Sequence, residues 1–274
     1  MKKTNISKLI IYVVLLIGCI ITIAPFFWMI STSLKSFGEV FNMPPTLLPE
    51  KFMWSNYLEV SDRIPLVRFF INSILITLGV TIGTLVTTIF AAYVFSRIDF
   101  IGRDVIFVVL IATMMIPSEV ILIPNYITIS KLGWINTYKG LIIPWTVSVF
   151  SIFLLRQFFL GIPESLYRAS KIDGCSDMKY LFKIMVPISR PALITIALLR
   201  IINSWNEFLW PLIITNVPEM RTLPVALTIF STEAGTDYHY LMAASTMIIL
   251  PIIFVYFVLQ KYIISGITRS GIKE

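Results

Sequence analysis

Four residues in the last third of the chain have types and a spacing that could bind a small polar molecule. They fall at positions i, i+3, i+4 and i+7 of an apolar stretch, on one face of a helix: Asn203, Asn206, Glu207 and Trp210. Amides and a carboxylate are costly in lipid, so they should face a bundle interior or a wet cavity. There they could pair with hydroxyl groups while the indole stacks on a sugar ring. The pattern predicts the lining of a pathway for a polar solute, or alternatively hydrogen bonding between helices with an interfacial tryptophan.

A second polar group lies between two prolines of an earlier apolar stretch. Glu119 and, at its edge, Asn125 accompany Pro117 and Pro124. Prolines interrupt helices, and interrupted helices in membranes line cavities. The pattern predicts that both polar residues belong to the same pathway. The alternative is a structural ion pair between Glu119 and Arg200, although Arg200 is more simply expected to extend toward the cytoplasmic interface.

Other chemistries find little support in the sequence. The two cysteines, Cys19 and Cys175, have no metal-ligand or disulfide spacing, and the single histidine, His239, is expected to be an exposed loop residue. No phosphate-binding GxxxxGK[ST] pattern occurs. The sequence therefore predicts no catalytic site, no metal site and no cofactor bound by this chain, and it indicates that the protein is not an enzyme.

The composition explains why these polar residues stand out. The chain is 57% hydrophobic and 14% charged, whereas soluble domains carry about 25% charged residues. Its apolar runs are long enough to cross a hydrocarbon core of about 30 Å. The first run is longer than the core of a signal peptide and ends in aromatic residues, so we expect an uncleaved span. The sequence predicts six spans, at about 9–30, 69–95, 105–127, 140–160, 192–214 and 241–264.

The distribution of lysine and arginine predicts the orientation of these spans. Six spans place both termini on one side, and that side carries 14 of the 22 basic residues against seven on the other. Because basic loops stay in the cytoplasm, both termini are predicted there. The chain is thus expected to be an all-α, multi-pass protein of a prokaryotic plasma (inner) membrane. Residues 1–8 and 265–274 form its cytoplasmic ends, and residues 9–264 form its membrane domain.

The cytoplasmic connection over residues 161–191 is the longest charged run in the chain. It is read as two short helices separated at Asp173-Gly174, since glycine allows a sharp turn. Phe182 contributes to an apolar face on the second helix, and Pro187 ends that helix. The segment is predicted to be a handle for a soluble partner, the alternative being a simple connector.

This loop resembles the EAA loop of ABC importer permeases, which runs roughly E-A-A-x-x-x-D-G-A and is followed by an apolar helix and P-x-x-x-P. The matching positions here are Arg168-Ala169-Ser170, Asp173-Gly174-Cys175 and Pro187 to Pro191. The chain departs from the pattern at Arg168, where the family has glutamate, at Ser170 and at Cys175. The resemblance implies a coupling helix that docks on an ATPase subunit through Glu164, Arg168, Ala169, Ser170, Asp173, Gly174, Cys175, Phe182 and Pro187.

The resemblance extends over nearly the whole chain, to the smaller permease subunit of maltose-type sugar importers. It is carried by PPTLLPE, AAYVFSRIDFIGR, IPSEVILIPNY, LGWINTY, SWNEFLWPLI, RTLPVAL and QKYIISGITRSGIKE. It implies a type I importer bundle and four kinds of partner: a second permease, two copies of an ATPase that binds ATP and Mg²⁺, an extracytoplasmic solute-binding protein and a sugar. It also implies a contact with the binding protein through the outer loop, at Pro218, Glu219, Gly235 and Asp237. The alternative for that loop is a plain connector.

The sequence therefore predicts the permease subunit of an ATP-driven importer for a sugar or oligosaccharide. An importer for glycerol phosphate or another polyol is an alternative within the family. A phosphate would need cationic partners, and only Arg200 lies well inside a predicted span. A secondary transporter driven by an ion gradient is a further alternative, in which Glu119 and Glu207 would carry protons.

Overall fold

The computed structural model describes residues 2–232 and 235–268, and these residues are predominantly helical. Short 3₁₀ turns and one π-helical turn, Leu181–Met185, join or extend the α-helices. Two-residue strands β1 (Ser231–Thr232) and β2 (Gly235–Thr236) pair antiparallel. In chain order the α-helices are α1 (Lys2–Ser33), α2 (Ser55–Arg63), α3 (Leu66–Arg97), α4 (Arg103–Thr113), α5 (Ser118–Lys131), α6 (Tyr138–Ile142), α7 (Val149–Leu160), α8 (Glu164–Ile172), α9 (Asp177–Tyr180), α10 (Val186–Ile188), α11 (Arg190–Trp205), α12 (Leu209–Ile214), α13 (Leu223–Ala226) and α14 (Tyr238–Thr268).

Three helices are individually long and apolar enough to cross a membrane, in α1, α3 and α14. Three further candidates are bent pairs: α4 with α5 at 98°, α6 and its 3₁₀ extension with α7 at 44°, and the Asp177–Ile188 segment with α11 at 78°. The described chain thus has three spans, or up to six if each bent pair is one span. The predicted all-α architecture is confirmed at the level of a predominantly helical membrane chain.

Three of the predicted spans are not continuous helices. In the predicted 140–160 span, α6 and its 3₁₀ extension end at Trp145, and α7 begins at Val149. In the predicted 105–127 span, α4 ends at Thr113 and α5 begins after Pro117, whose extended backbone precedes the first turn. The predicted break between Pro117 and Pro124 is therefore displaced, because Pro124 lies inside α5. In the predicted 192–214 span, α11 ends at Trp205 and α12 begins at Leu209. Hydropathy alone did not reveal where these helices end. Met114 and Met115 are as apolar as their neighbours, and the break between α11 and α12 contains only two polar residues, Asn206 and Glu207.

The chain divides into two compact units. The first comprises the residues up to Leu66 together with Val225–Pro251. In this unit, the Asn56 side-chain amide donates to the carbonyl oxygens of Ser33 and Lys35, at 2.8 and 2.9 Å. These bonds hold the end of α1 against the start of α2.

His239, in the first turn of α14, is buried in the same unit rather than exposed. Only 5% of its surface is accessible, and its ring lies edge-on to Phe37, with centroids 5.7 Å apart. The expectation of an exposed loop histidine is therefore wrong. The aromatic neighbour that covers this ring lies about 200 positions earlier in the chain, where no local pattern could indicate it.

The second unit, Val67–Pro224 with the segment from Ile252 onward, contains the packed centre of α3. Two glycines let this helix approach the end of α6 and the turn that follows it. A Cβ atom at Gly79 would lie 2.7 Å from Ile142 Cδ1, and one at Gly83 would lie 2.5 Å from Thr146 Cγ2. Next to Gly83, Thr84 donates its hydroxyl to the Trp145 carbonyl oxygen. The close helix packing of small residues typical of membranes is thus built into α3.

Candidate functional site

The cytoplasmic loop has the helix-turn-helix form that its sequence predicts. Helix α8 ends at Ile172, and Gly174 follows in the left-handed region with φ +70°. The amide of Gly174 donates to the Lys171 carbonyl oxygen at 3.1 Å, and the amide of Cys175 donates to that of Ser170 at 2.9 Å. This closure satisfies carbonyl groups at the end of α8, and glycine adopts the required backbone without strain. The predicted turn at Asp173-Gly174 is confirmed.

One carboxylate, Asp177, ties the loop together and joins it to a membrane helix. Its Oδ1 accepts hydrogen bonds from the hydroxyls of Tyr93 on α3 and Tyr167 on α8, at 2.9 and 3.0 Å. Lys171 Nζ lies 2.9 Å from the same oxygen. The bonds from Lys171 and Tyr93 hold the pKa of Asp177 below its usual value, and the bond to Asp177 raises the pKa of Lys171. The sequence interpretation missed this role, since the two tyrosines lie 84 and 10 positions away.

The second half of the loop is anchored in the core. Tyr180, Leu181 and Met185 are fully buried, in a cluster with Leu155 and Phe159 of α7. Phe182, predicted to contact an ATPase, is 49% exposed, and its ring meets that of Phe90 with centroids 5.9 Å apart. The loop is therefore held by its buried side and leaves Phe182 accessible. Pro187 lies inside α10, and the helical segment continues to Ile188, so the expectation that Pro187 ends this helix is wrong by one residue.

The residues that depart from the EAA pattern have distinct surroundings. Arg168 is paired within α8, where its Nη2 lies 3.0 Å from Glu164 Oε1, and both side chains are largely exposed. Ser170 is buried and donates to the Tyr167 carbonyl oxygen at 2.7 Å. Ala169 and Asp173 are exposed, and Cys175 is partly exposed. Of the predicted docking residues, Ser170 thus faces the protein rather than solvent.

A cavity of about 110 Å³ lies where α11 and α12 meet α3. It contains three of the four residues with helical spacing: Asn203, Glu207 and Trp210 line it, and Asn206 does not. The remaining lining residues are Ser73, Ile76, Val80, Leu141, Trp145, Arg200, Ser204, Pro211 and Thr222. The structure therefore brings three of the six predicted pathway residues together.

The break between α11 and α12 uses two of these polar side chains. Asn206 Nδ2 donates to the Ile202 carbonyl oxygen at 2.9 Å, near the end of α11. Glu207 Oε1 accepts from the Trp210 amide at 3.2 Å, in the first turn of α12. The Glu207 bond satisfies an amide that the start of a helix leaves unpaired, whereas the Ile202 carbonyl oxygen also accepts from the Asn206 backbone amide at 3.2 Å. Asn206 is thus the residue at which α11 ends, whereas the Glu207 side chain bonds the first turn of α12 and lines the cavity.

Trp210 is a structural wall of the cavity. Its side chain is 1% exposed, and its Nε1 donates to the Gly140 carbonyl oxygen at 3.1 Å. Its ring lies edge-on to that of Trp145, with centroids 5.9 Å apart. Trp145, at the end of the 3₁₀ turn after α6, was not among the predicted site residues.

Arg200 is the second residue that the sequence interpretation misplaced. Its Nη2 donates to the Trp145 carbonyl oxygen at 2.7 Å, and its side chain lines the cavity. The expectation that it extends to the cytoplasmic interface is wrong, because this carbonyl at the open end of a helical turn supplies an acceptor within the fold. The lone arginine of an otherwise apolar stretch was the signal that could have indicated this role.

Glu119 and Asn125 are not among the residues that line this cavity. Glu119 is exposed in the first turn of α5, a position that favours an acidic side chain, and Oε1 lies 3.1 Å from the Ser118 hydroxyl. Asn125 is partly exposed on the same helix. No ion pair joins Glu119 to Arg200 within the described part of the chain.

The predicted outer loop contains a clamp that the sequence did not reveal. Pro218 and Glu219 lie in a 3₁₀ turn. Asn72 of α3, 1% exposed, donates to the carbonyl oxygens of Glu219 and Arg221 at 2.8 and 2.9 Å. The Tyr138 hydroxyl in turn donates to Asn72 Oδ1 at 2.6 Å. These bonds hold the backbone of the turn in place. They use the carbonyl oxygen of Glu219 and not its side chain.

The other predicted outer-loop residues belong to the first unit. Gly235 begins β2, and Asp237 pairs with Arg63 of α2 at 3.2 Å. Tyr240, one turn into α14, donates its hydroxyl to Glu59 of α2. The cytoplasmic tail predicted over 265–274 lies, from residue 269 onward, outside the described residues.

Comparison with known proteins agrees with this architecture. Residues 83–269 match the family model described as "Binding-protein-dependent transport system inner membrane component". The arabinooligosaccharides transport system permease protein AraQ of Bacillus subtilis (strain 168) is 35% identical over 91% of this chain and 90% of its own length. The sn-glycerol-3-phosphate transport system permease protein UgpE of Agrobacterium fabrum (strain C58 / ATCC 33970) is 30% identical over 98% of this chain and 99% of its own.

The fold is also that of a solved transporter. A chain of a bacterial ABC transporter involved in the import of the acidic polysaccharide alginate superposes with a TM-score of 0.83 and 26% identity, covering 96% of this chain and 98% of that one. These relatives are transport subunits embedded in a membrane, not enzymes. The chain belongs to the family of binding-protein-dependent transport system inner membrane components, as a permease subunit of the carbohydrate ABC importer type.

Proposed function

We propose that this permease subunit carries a neutral sugar or oligosaccharide across the cytoplasmic membrane. The observation that carries the proposal is the cavity at the α11–α12 break, which combines two tryptophans with amide, hydroxyl and charged side chains. Such a lining can stack on a sugar ring and bond its hydroxyls. A relative 35% identical to the chain is named for arabinooligosaccharide transport, which supports the same substrate class.

The proposed topology has six spans with both termini in the cytoplasm. It counts α4 with α5, α6 with α7, and α11 with α12 as one span each, leaves Asp177–Ile188 in the cytoplasmic loop, and rests on the excess of lysine and arginine on the side of the termini. On this topology α8 and the Gly174 turn lie in the cytoplasm, and the Pro218–Met220 turn lies outside.

The proposed assembly pairs the chain with a second permease, two copies of an ATPase and an extracytoplasmic binding protein. Every side chain from Lys8 to Trp28 is exposed, so this stretch of α1 faces lipid or the second permease. ATP and Mg²⁺ bind the ATPases, and this chain binds neither. The outer residues Pro218, Glu219, Gly235 and Asp237 contact the binding protein.

The proposed coupling surface is the exposed side of α8 and its turn. Glu164, Arg168, Ala169, Asp173 and Gly174 are exposed there, and Phe182 extends the surface. Movement of the ATPases shifts α8, and Asp177 carries that shift to Tyr93 on α3. The spans then rock between cavities open to either side, exposing the pathway residues Asn203 and Glu207 in turn.

A glycerol-phosphate substrate is the second candidate, because relatives about 30% identical are named for that transport. The cavity lining argues against it. Arg200 is the one cation among the lining residues that the structure describes, and Glu207 in the same lining offsets its charge. A phosphate dianion would gain little there.

Reconstitution tests the proposal directly. We expect liposomes containing the full transporter and its binding protein to accumulate radiolabelled arabinotriose only when ATP is supplied. Accumulation of sn-glycerol 3-phosphate instead would favour the second candidate. Uptake by this chain without an ATPase would contradict the importer mechanism.

A further inference from the structure

Helix α8, which carries the proposed coupling surface, is attached to α3 at each of its ends. After α8, Asp177 accepts a hydrogen bond from the Tyr93 hydroxyl on α3 at 2.9 Å. Before α8, Arg97 of the same helix donates from Nη2 to the carbonyl oxygens of Phe159 and Ile162, at 2.9 and 2.6 Å. Tyr93 and Arg97 are four residues apart, so they lie on one face of α3, about 6 Å apart along its axis.

The Arg97 bonds are made where the chain passes from α7 to α8. Helix α7 ends at Leu160, and α8 begins at Glu164, after Pro163. The last carbonyl groups of a helix lack partners within it, and a cation near that end is favourable. Ile162, in this connection, is 5% exposed. The connection between α7 and α8 is therefore a buried segment that the Arg97 side chain joins to α3.

A second arginine joins α7 itself to α3. Arg156 Nε donates to the Phe95 carbonyl oxygen at 2.9 Å, and its guanidinium carbon lies 4.0 Å from the centroid of the Phe107 ring on α4. These contacts fix the position of α7 beside α3 and α4. Arg156 lies six positions before Ile162, so it holds α7, whereas Arg97 holds the connection that leads into α8.

Two attachments constrain a helix more than one attachment does. Helix α8 has nine residues, which is about 13 Å at 1.5 Å per residue, so its two ends are well separated. A helix held at one end can tilt about that end when a partner moves it. A helix held at both ends by one face of α3 must move together with α3, as a rigid element that transmits a conformational change requires.

We infer that Arg97 is a positioning residue for coupling, which holds the start of α8 to α3 so that movement of α8 by the ATPase moves α3. The inference rests on the proposed function, in which an ATPase docks on α8, and it adds a second attachment to the one at Asp177. Without Arg97, α8 tilts about Asp177, and part of the movement produced by ATP hydrolysis does not reach the spans.

The distance between α8 and α3 tests this attachment without a substrate. Nitroxide labels are placed at Ser165→Cys on α8 and Ile82→Cys on α3, both exposed positions, in a background that lacks Cys19 and Cys175. Pulsed electron paramagnetic resonance measures the distance in the complete complex of both permeases and the ATPase in nanodiscs, without nucleotide and after trapping with ADP and vanadate. We expect the same distance in both states, and a shifted or broader distribution after trapping when Arg97 is replaced by methionine.

Transport measurements use two Arg97 variants and a matched control. Arg97→Met removes the donors and keeps the length of the side chain, and Arg97→Lys keeps a cation with donors. The control is Arg103→Met, since the hydrogen bonds of Arg103 in the described chain go to Ile98, Asp99 and Asp104 and not to α7 or α8. We expect Arg97→Met to raise the ATP hydrolysed per arabinotriose imported into liposomes about threefold. Arg97→Lys should restore most of this loss, and the control should keep the wild-type ratio.

The Tm of the complex separates this role from a purely structural one. If Arg97→Met lowers the Tm but leaves the ATP-to-sugar ratio and the label distances as in the wild type, or if Arg103→Met raises the ratio as much, the inference is overturned while sugar import stands. A wild-type label distance that changes on trapping overturns it as well. If the label distances behave as expected but the wild type imports no arabinotriose, the inference about Arg97 stands and the proposed substrate fails.

Discussion

The cytoplasmic loop and the membrane cavity differ in how fully the fold supplies hydrogen-bond partners to their charged residues. In the loop, one carboxylate oxygen of Asp177 has three partners: Tyr93 on α3, and Tyr167 and Lys171 on α8. In the cavity, Arg200 has one backbone acceptor through Nη2, and its buried Nε has none in the described chain. A polar group whose hydrogen bonds are all made within the fold makes its segment rigid, whereas a buried polar group with an unmade hydrogen bond is costly.

This difference matches the tasks that transport requires of the two regions. A loop that transmits the movement of a partner subunit must be rigid. The second half of this loop is fixed by the buried side chains of Leu181 and Met185. The hydroxyls of Tyr180 and Ser189, which are buried without a partner in the described chain, are exceptions in the loop. A pathway must instead bind a polar solute and release it, so it keeps polar groups that the fold itself does not use.

The largest expected effect tests the rigidity of the loop. Gly174→Val forces a β-branched residue into a left-handed turn, which costs an ordinary L-residue about 1–2 kcal/mol and valine more. We expect ATP-driven uptake to fall more than tenfold, with normal membrane insertion. Gly38→Val is the control, since Gly38 has φ −67° and no atom near an added Cβ. Normal uptake by Gly174→Val would show that the loop is only a connector.

The next effect tests the charge balance of the cavity. Glu207→Gln keeps an oxygen to accept the Trp210 amide but leaves the Arg200 guanidinium without an opposite charge in the lining. We expect uptake of a neutral sugar to fall about fivefold, equivalent to about 1 kcal/mol, with thermal stability retained. Glu50→Gln, an exposed carboxylate outside the cavity, should have no effect. Equal uptake by both variants would remove Glu207 from the pathway.

A smaller effect is expected at the centre of the loop. Asp177→Ala removes the acceptor shared by Tyr93, Tyr167 and Lys171. Because the site is partly exposed, we expect a decrease of a few degrees in the Tm of the complex, and about twofold more ATP hydrolysed per sugar imported. Asp62→Ala, at an exposed position of α2, is the control. An unchanged ratio of ATP to sugar would mean that the link to α3 does not carry the motion.

The smallest effect is the pH dependence of that link. The pKa of Asp177 is lowered in the fold, so its contribution is complete above the unfolded-state pKa of about 3.9 and is lost as the pH falls through the lower folded value. The pKa of Lys171 is raised, so its contribution persists to strongly alkaline pH. The Tm difference between wild type and Asp177→Ala should be constant from pH 5 to 9 and decrease below about pH 4. A transition near pH 7 would contradict this assignment.

Much of the architecture follows from local patterns. Apolar runs of about 20 residues, interrupted by polar loops, predicted helices long enough to span a membrane, and the structure contains helices at each of these places. Asp173-Gly174 predicted a turn, because only glycine adopts a left-handed backbone at no cost. The spacing of Asn203, Asn206, Glu207 and Trp210 predicted one shared helical face; the helix instead ends at Trp205, and the cavity is lined by three of the four residues without Asn206.

The sequence by itself determined these features because they depend on residues within one or two helical turns of each other. Only the tertiary structure decided that Arg200 bonds the backbone 55 positions away, that Asn72 clamps a turn nearly 150 positions later, and that His239 is buried. A side chain with one charge or amide is equally compatible with lipid interface, solvent and core until its partner is known. Long-range hydrogen bonds supply that partner, and they form only when helices distant in sequence pack together.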